Sequence, residues 1–134
     1  MKDGFSVTVK SCKAKARVLQ NFIVEQFVAA FPTLECHLRP ALMGEQGVDI
    51  QMTGAAHAII PFGIEAKNVE RVNIWAAYDQ AVANAKRKGY ANPAVIIKKN
   101  RVKDPLVIIP FSAFLKLLVD LNTLQTRCKD SAYS

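Results

Sequence analysis

Charged side chains stand in this chain where a buried strand would carry valine or isoleucine. Asp49 lies in the apolar run Gly47-Val48-Asp49-Ile50, and Glu65 and Lys67 follow a second run, Ile59-Ile60-Pro61-Phe62-Gly63-Ile64. An unpaired carboxylate is costly to bury, so such groups persist only where a metal, a partner or a proton compensates them. Glu65 and Lys67 are two apart, and in a strand they point to the same face. If Asp49 lies on the adjacent strand, two carboxylates and an ammonium converge on one point. The fold must therefore present both runs side by side.

The rest of the chain supplies the elements for that. Residues 11–31 carry Leu19, Ile23, Phe27 and Phe31 at helical spacing, and Pro32 and Thr33 end the helix. Residues 34–46, with Pro40 and Gly44, read as a connection. Residues 48–52 read as a strand, Thr53-Gly54-Ala55-Ala56 as a turn, and residues 59–67 as a second strand with an edge or bulge at Pro61. A helix follows from about Ile74 to Lys88, stopped by Gly89. The β-branched runs 94–98 and 106–109 flank a basic turn and form a hairpin. Pro110 precedes a last helix, 111–124, and a polar tail. Strands and helices in this order predict an α/β sheet with helices on both faces.

At 134 residues the chain is expected to form one domain, residues 1–134. Its net charge of +7 is clustered: Lys10, Lys13, Lys15 and Arg17 on the first helix, Lys86 to Lys88 on a later one, and Lys98, Lys99, Arg101 and Lys103 around the hairpin turn. A polyanion such as nucleic acid is the natural partner, with solubility as the plainer explanation. Cys12, Cys36 and Cys128 are odd in number and unpaired in spacing, which suits a reducing compartment and argues against a disulfide framework or a zinc site. Cys12 and Cys36 are expected to pack rather than react. No signal segment or membrane span is expected, no organic cofactor is implied, and a cytoplasmic location fits.

Asp49 and Glu65 are hard oxygen ligands of the kind Mg2+ or Mn2+ prefers, and the Ala66 carbonyl lies between the site positions. A metal held there would lower the pKa of a bound water, and Lys67 would orient that water or stabilise charge on the phosphorane. The plainer alternative is a buried Glu–Lys or Asp–Lys pair, which leaves one acid without a purpose.

Asp49 followed by Glu65-Ala66-Lys67 resembles the PD-(D/E)XK nuclease superfamily, whose signature is an acid on one strand and Asp/Glu-x-Lys on the next. Phage-encoded members are similar in pairing Met43-Gly44-Glu45-Gln46-Gly47-Val48-Asp49 with Glu65-Ala66-Lys67-Asn68 and the helix start Asn73-Ile74-Trp75. Val48 stands where the family's first motif carries proline. The resemblance implies a restriction-endonuclease-like αβββαβ core with a mixed four-stranded sheet, and Mg2+-dependent (or Mn2+-dependent) DNA cleavage. The substrate it implies is branched, as for Holliday junction resolvases, in a phage setting in the host cytoplasm. It adds Gln80 beside the catalytic lysine and an acid from the first helix.

For that last position Glu25 has the chemistry but falls on the polar side, whereas Gln20 shares the face of Ile23 and Phe27. Gln20 is expected to line the site or merely to cap the sheet edge, and Glu45 reaches it from the glycine segment. Lys10 to Arg17 and Lys98 to Arg101 would straddle DNA through phosphate contacts. Asn68 either bonds a phosphate or starts a turn. Trp75 and Tyr78 stack on a base or pack the helix on the sheet, with packing expected for Trp75. His37 and His57 are expected in loops, without catalytic roles. A homodimer is expected because a duplex or junction has two strands to cut. The apolar residues of the last helix either form that interface or cover their own sheet. The alternatives are a non-cutting nucleic-acid-binding module and an RNA-directed nuclease.

Overall fold

The computed structural model describes residues 2–133, with side chains from 11 to 132. Helix α1 (Lys2–Ala30) is followed by a 3-10 turn (Pro32–Leu34), strands β1 (Leu38–Pro40) and β2 (Ile50–Met52), and a short helix α2 (Gly54–Ile59). Strand β3 (Gly63–Asn68), helix α3 (Ile74–Lys88), strands β4 (Pro93–Lys98) and β5 (Leu106–Ile108), and helix α4 (Phe111–Tyr133) complete the chain.

The fold is α/β, but the strands form two sheets rather than the expected four-stranded one. β1 and β2 pair antiparallel, Arg39 opposite Gln51. β3 pairs parallel with β4, Glu65 opposite Val95, and β4 pairs antiparallel with β5 in the expected hairpin. The second sheet is therefore mixed but three-stranded. The sheets meet at Asp49, whose N–H donates to the Ile64 carbonyl at 2.9 Å.

Alternation along β3 sorts its side chains onto two helices. Ile64 and Ala66 join Leu19 and Ile23 of α1, Leu38, Ile50, Met52 and Ile96 in the main core. On the opposite face Ala77 and Ala81 of α3 pack with Val95. Ala77, Ala81 and Ala85 recur every fourth residue and are all buried, so α3 presents a stripe of methyl groups. That stripe lets helix and strand approach closely: a Cβ built on Gly63 would lie 2.8 Å from the Ala85 Cβ. Asn73 caps α3 by accepting from the Ala76 N–H. Gly89, at φ 80°, ends it as the sequence indicates, with the Tyr90 N–H donating to the Ala85 carbonyl.

Several expected boundaries move. The segment 34–46 holds the 3-10 turn and β1, whose three residues are too few to show alternation. The turn expected at Thr53 to Ala56 is the start of α2, because the Thr53 hydroxyl caps it by accepting from the Ala56 N–H. α2 takes Ile59, so β3 begins at Gly63 and Pro61 precedes it rather than bulging it. His57 accordingly sits on α2, stacked on Tyr90 with ring centroids 3.7 Å apart. α1 starts earlier than residue 11, and α4 runs through the expected polar tail, where no Gly or Pro breaks it. No helix among the described residues is long and apolar enough to cross a membrane.

Candidate functional site

Because Ile64 and Ala66 face α1, Glu65 and Lys67 must face α3, and α3 supplies their partners. Asn84 donates its amide to Glu65 Oε2 at 3.1 Å. Lys67 Nζ donates to Gln80 Oε1 at 2.7 Å and lies 3.3 Å from Glu65 Oε1. Gln80 and Asn84 are one helical turn apart, so a single face of α3 holds both side chains. Glu65 is 3% exposed, which makes this a fixed, water-poor arrangement.

Asp49 arrives from the other sheet. Gly47, at φ 103°, bends the chain immediately before it, in a backbone conformation that a side chain would strain. Buried Val48 then anchors the segment. The Asp49 carbonyl accepts from the Ala41 N–H at 2.8 Å, and Arg17 of α1 donates to the Ala41 carbonyl at 2.8 Å. The Asp49 carboxylate reaches across: its Oδ2 accepts from the Ala66 N–H at 2.8 Å. Within a strand the N–H and C=O of one residue point the same way. The Ala66 carbonyl is therefore directed to the β3 edge that meets Asp49.

Burial raises the proton affinity of both acids. For Asp49 it outweighs the Ala66 hydrogen bond and the Lys67 charge. For Glu65 burial acts first and the Asp49 charge raises it further, against Asn84 and Lys67. The two carboxylates thus disfavour each other's ionisation, with one ammonium beside them. Two acids in need of a cation, with a carbonyl on the same edge, fit a small divalent ion that keeps several waters. Among the described residues no three His, Cys, Asp or Glu side chains gather as a metal site, so water and the Ala66 carbonyl would complete the set.

The structure thus brings Asp49, Glu65, Ala66, Lys67 and Gln80 together. Gln20 is half-buried and lines a cavity of about 450 Å3 with Lys13, Arg17, Glu45 and Asp49. Glu25 is exposed and does not line that cavity. Glu45 lines it with both oxygens engaged. Arg39 holds them at 2.8 and 2.9 Å, the Leu42 N–H donates at 2.7 Å, and these bonds bring the carboxyl down to about 2. Asn68 donates its side-chain amide to the Lys15 carbonyl at 2.9 Å, tying β3 to α1.

Lys13, Lys99 and Arg101 are exposed and Lys15 and Lys98 half-buried, while the Lys10 side chain lies outside the described residues. The packing expected for Trp75 is not found: it is 78% exposed, because Ala77 and Ala81 occupy the face of α3 that meets the sheet. Tyr78 packs against that small core instead. Cys12 and Cys36, expected in packing, are exposed, as is Cys128. His37 lies in a loop, with its Nδ1 2.8 Å from the Thr53 hydroxyl.

Three positioning residues escaped the sequence reading. Asn84 carried a signal, one turn beyond Gln80 on the same helix face. Arg39 and Arg17 act through contacts across the chain and carried none. No family model, curated protein or solved structure matches this chain.

Proposed function

We propose that the chain is a Mg2+-dependent DNA endonuclease with a restriction-endonuclease-like core, hydrolysing phosphodiester bonds in branched DNA. One observation carries the reading: Asp49 Oδ2 bonds the backbone of the very strand whose next residues form the Glu65–Lys67 pair. The order α1, β1, β2, β3, α3, β4, with α2 inserted, supports the αβββαβ core. The preference for branched DNA comes from the resemblance.

Asp49, Glu65 and the Ala66 carbonyl would hold the ion. When bound, it would neutralise a phosphate oxygen and supply hydroxide near neutral pH. Lys67, fixed between Glu65 and Gln80, orients a water by donating to it and offsets charge growing on the phosphorane oxygens. Gln80 removes one of the lysine's free directions, so the ammonium points toward the acids. Lys13 and Arg17 line the cavity beside Asp49 and are placed to take flanking phosphates, with Arg17 also anchoring Ala41.

The test is one incubation of four-way junction, flap, linear duplex, single-stranded DNA and RNA with Mg2+. Junction or flap should be cut, and Glu65→Gln and Lys67→Ala should leave them whole. Cleavage of RNA alone would move the reading to an RNA-directed nuclease. Binding without cleavage, and no Mn2+ uptake by calorimetry, would leave a nucleic-acid-binding module.

A further inference from the structure

The longest unpartnered surface belongs to α4. Phe111, Phe114, Leu117, Leu118, Leu121 and Leu124 are each between 45% and 73% exposed, and Leu115 and Val119 beside them are also bare. At 100° per residue these positions sweep an arc of about 220°, twice the stripe a surface helix needs to face one core. Lys116, Asp120 and Arg127 fall on the remaining side.

Beside the helix lies an apolar groove of about 320 Å3, lined by Phe31, Ile59, Phe62, Val107 and, from α4 itself, Leu117. If α4 swung onto its own groove, the Leu117 margin would be covered. Leu115, Leu118 and Val119, on the other side of the arc, would still face water. One neighbour is not enough.

We infer that α4 is a self-association surface, on which the α4 of a second copy of this chain lies across a two-fold axis beside the groove. Two features select that occupant. A helical ridge next to a hollow is self-complementary, which a two-fold interface requires. The exposed side chains of α4 also amount to roughly the 800 Å2 that each partner of a standard-size interface buries. The polar side of α4 mixes Lys116, Asp120, Arg127, Lys129 and Asp130, unlike the Lys- and Arg-rich face of a helix lying on a membrane.

Sedimentation equilibrium of the full chain, without metal or DNA, tests this independently of any cleavage. Wild type should run at twice 14.8 kDa, and Leu118→Glu should run as a monomer with unchanged circular dichroism. Val119→Lys, at the margin of the arc and 62% exposed, should weaken association at least tenfold without touching the core. A wild-type monomer at about 100 μM, far above the Kd of a standard-size interface, overturns the inference. A dimer that neither substitution weakens overturns it as well. So does a wild-type monomer that co-sediments with phosphatidylcholine–phosphatidylglycerol vesicles, which would make α4 a membrane-surface helix.

Discussion

A methyl group added at Gly63 tests the helix–strand contact on which the site depends. The new Cβ would stand 2.8 Å from the Ala85 Cβ, and 3.2 Å from both the Ala85 Cα and Val48 Cγ1. Carbon atoms rest at roughly 3.5–4.0 Å, so α3 and β3 must separate by up to about 1 Å. Overpacking of this kind costs about 1–3 kcal/mol. For 134 residues each kcal/mol lowers Tm by roughly 3–5 °C. Gly63→Ala should therefore melt several degrees below wild type.

The displaced helix carries Asn84 and Gln80, so their bonds to Glu65 and Lys67 lengthen with it. Under the proposed function, a misplacement of about 1 Å costs on the order of a hundredfold in rate. Ala85→Gly should restore part of both losses in the double variant, although alone it costs about 1 kcal/mol of helix propensity. Thermal melts and junction-cleavage rates of the four chains measure the coupling. A Gly63→Ala chain melting within about 1 °C of wild type, or a strictly additive double variant, would refute the close approach.

Burial raises the folded-state pKa of Asp49 and Glu65, so the stability linked to their protons is present below the unfolded pKa and lost as pH rises through the raised value. Asp49→Asn should resemble wild type in Tm near pH 4 and melt higher near pH 8; a lower Tm near pH 8 would contradict this. Mg2+ or Mn2+ should raise the Tm of wild type at neutral pH but not that of Asp49→Asn or Glu65→Gln, as differential scanning fluorimetry would show. Gln80→Ala should cut more slowly than wild type but faster than Lys67→Ala, because it only steers the ammonium; equal loss in both would give Gln80 a larger part. Each of Lys13→Ala and Lys99→Ala should flatten the salt dependence of DNA affinity by about one unit of slope, and unchanged slopes would remove those lysines from the interface.

The site was more legible in the sequence than the sheet that holds it. A carboxylate inside an apolar run is a strong signal because burial makes it expensive, and Asp49, Glu65 and Lys67 each stood out for that reason. The limits of α3 were also readable, since Asn73 caps one end and Gly89 the other. β1 was not, because Leu38-Arg39-Pro40 is too short to alternate and Pro40 lacks an N–H to signal pairing. Trp75 misled because a large apolar side chain suggests packing, whereas this helix meets its sheet through alanines. α2 hid behind Gly54, a residue that marks turns, although Thr53 before it was an adequate cap.

The seam at Asp49 makes the spacing of the two acids a mechanical quantity. One acid travels with the β1–β2 hairpin and the other is built into β3, so tilting the hairpin changes their separation without altering any side chain. Arg39, clasping Glu45 across the loop, and Arg17, gripping Ala41, brace that hinge from two sides. Loosening either brace should act as a dimmer, lowering output by degrees, where replacing Asp49 switches it off. An ion bridging the seam would in turn lock the hairpin, and slower hydrogen exchange at the Asp49 and Ala66 amides would register the locking.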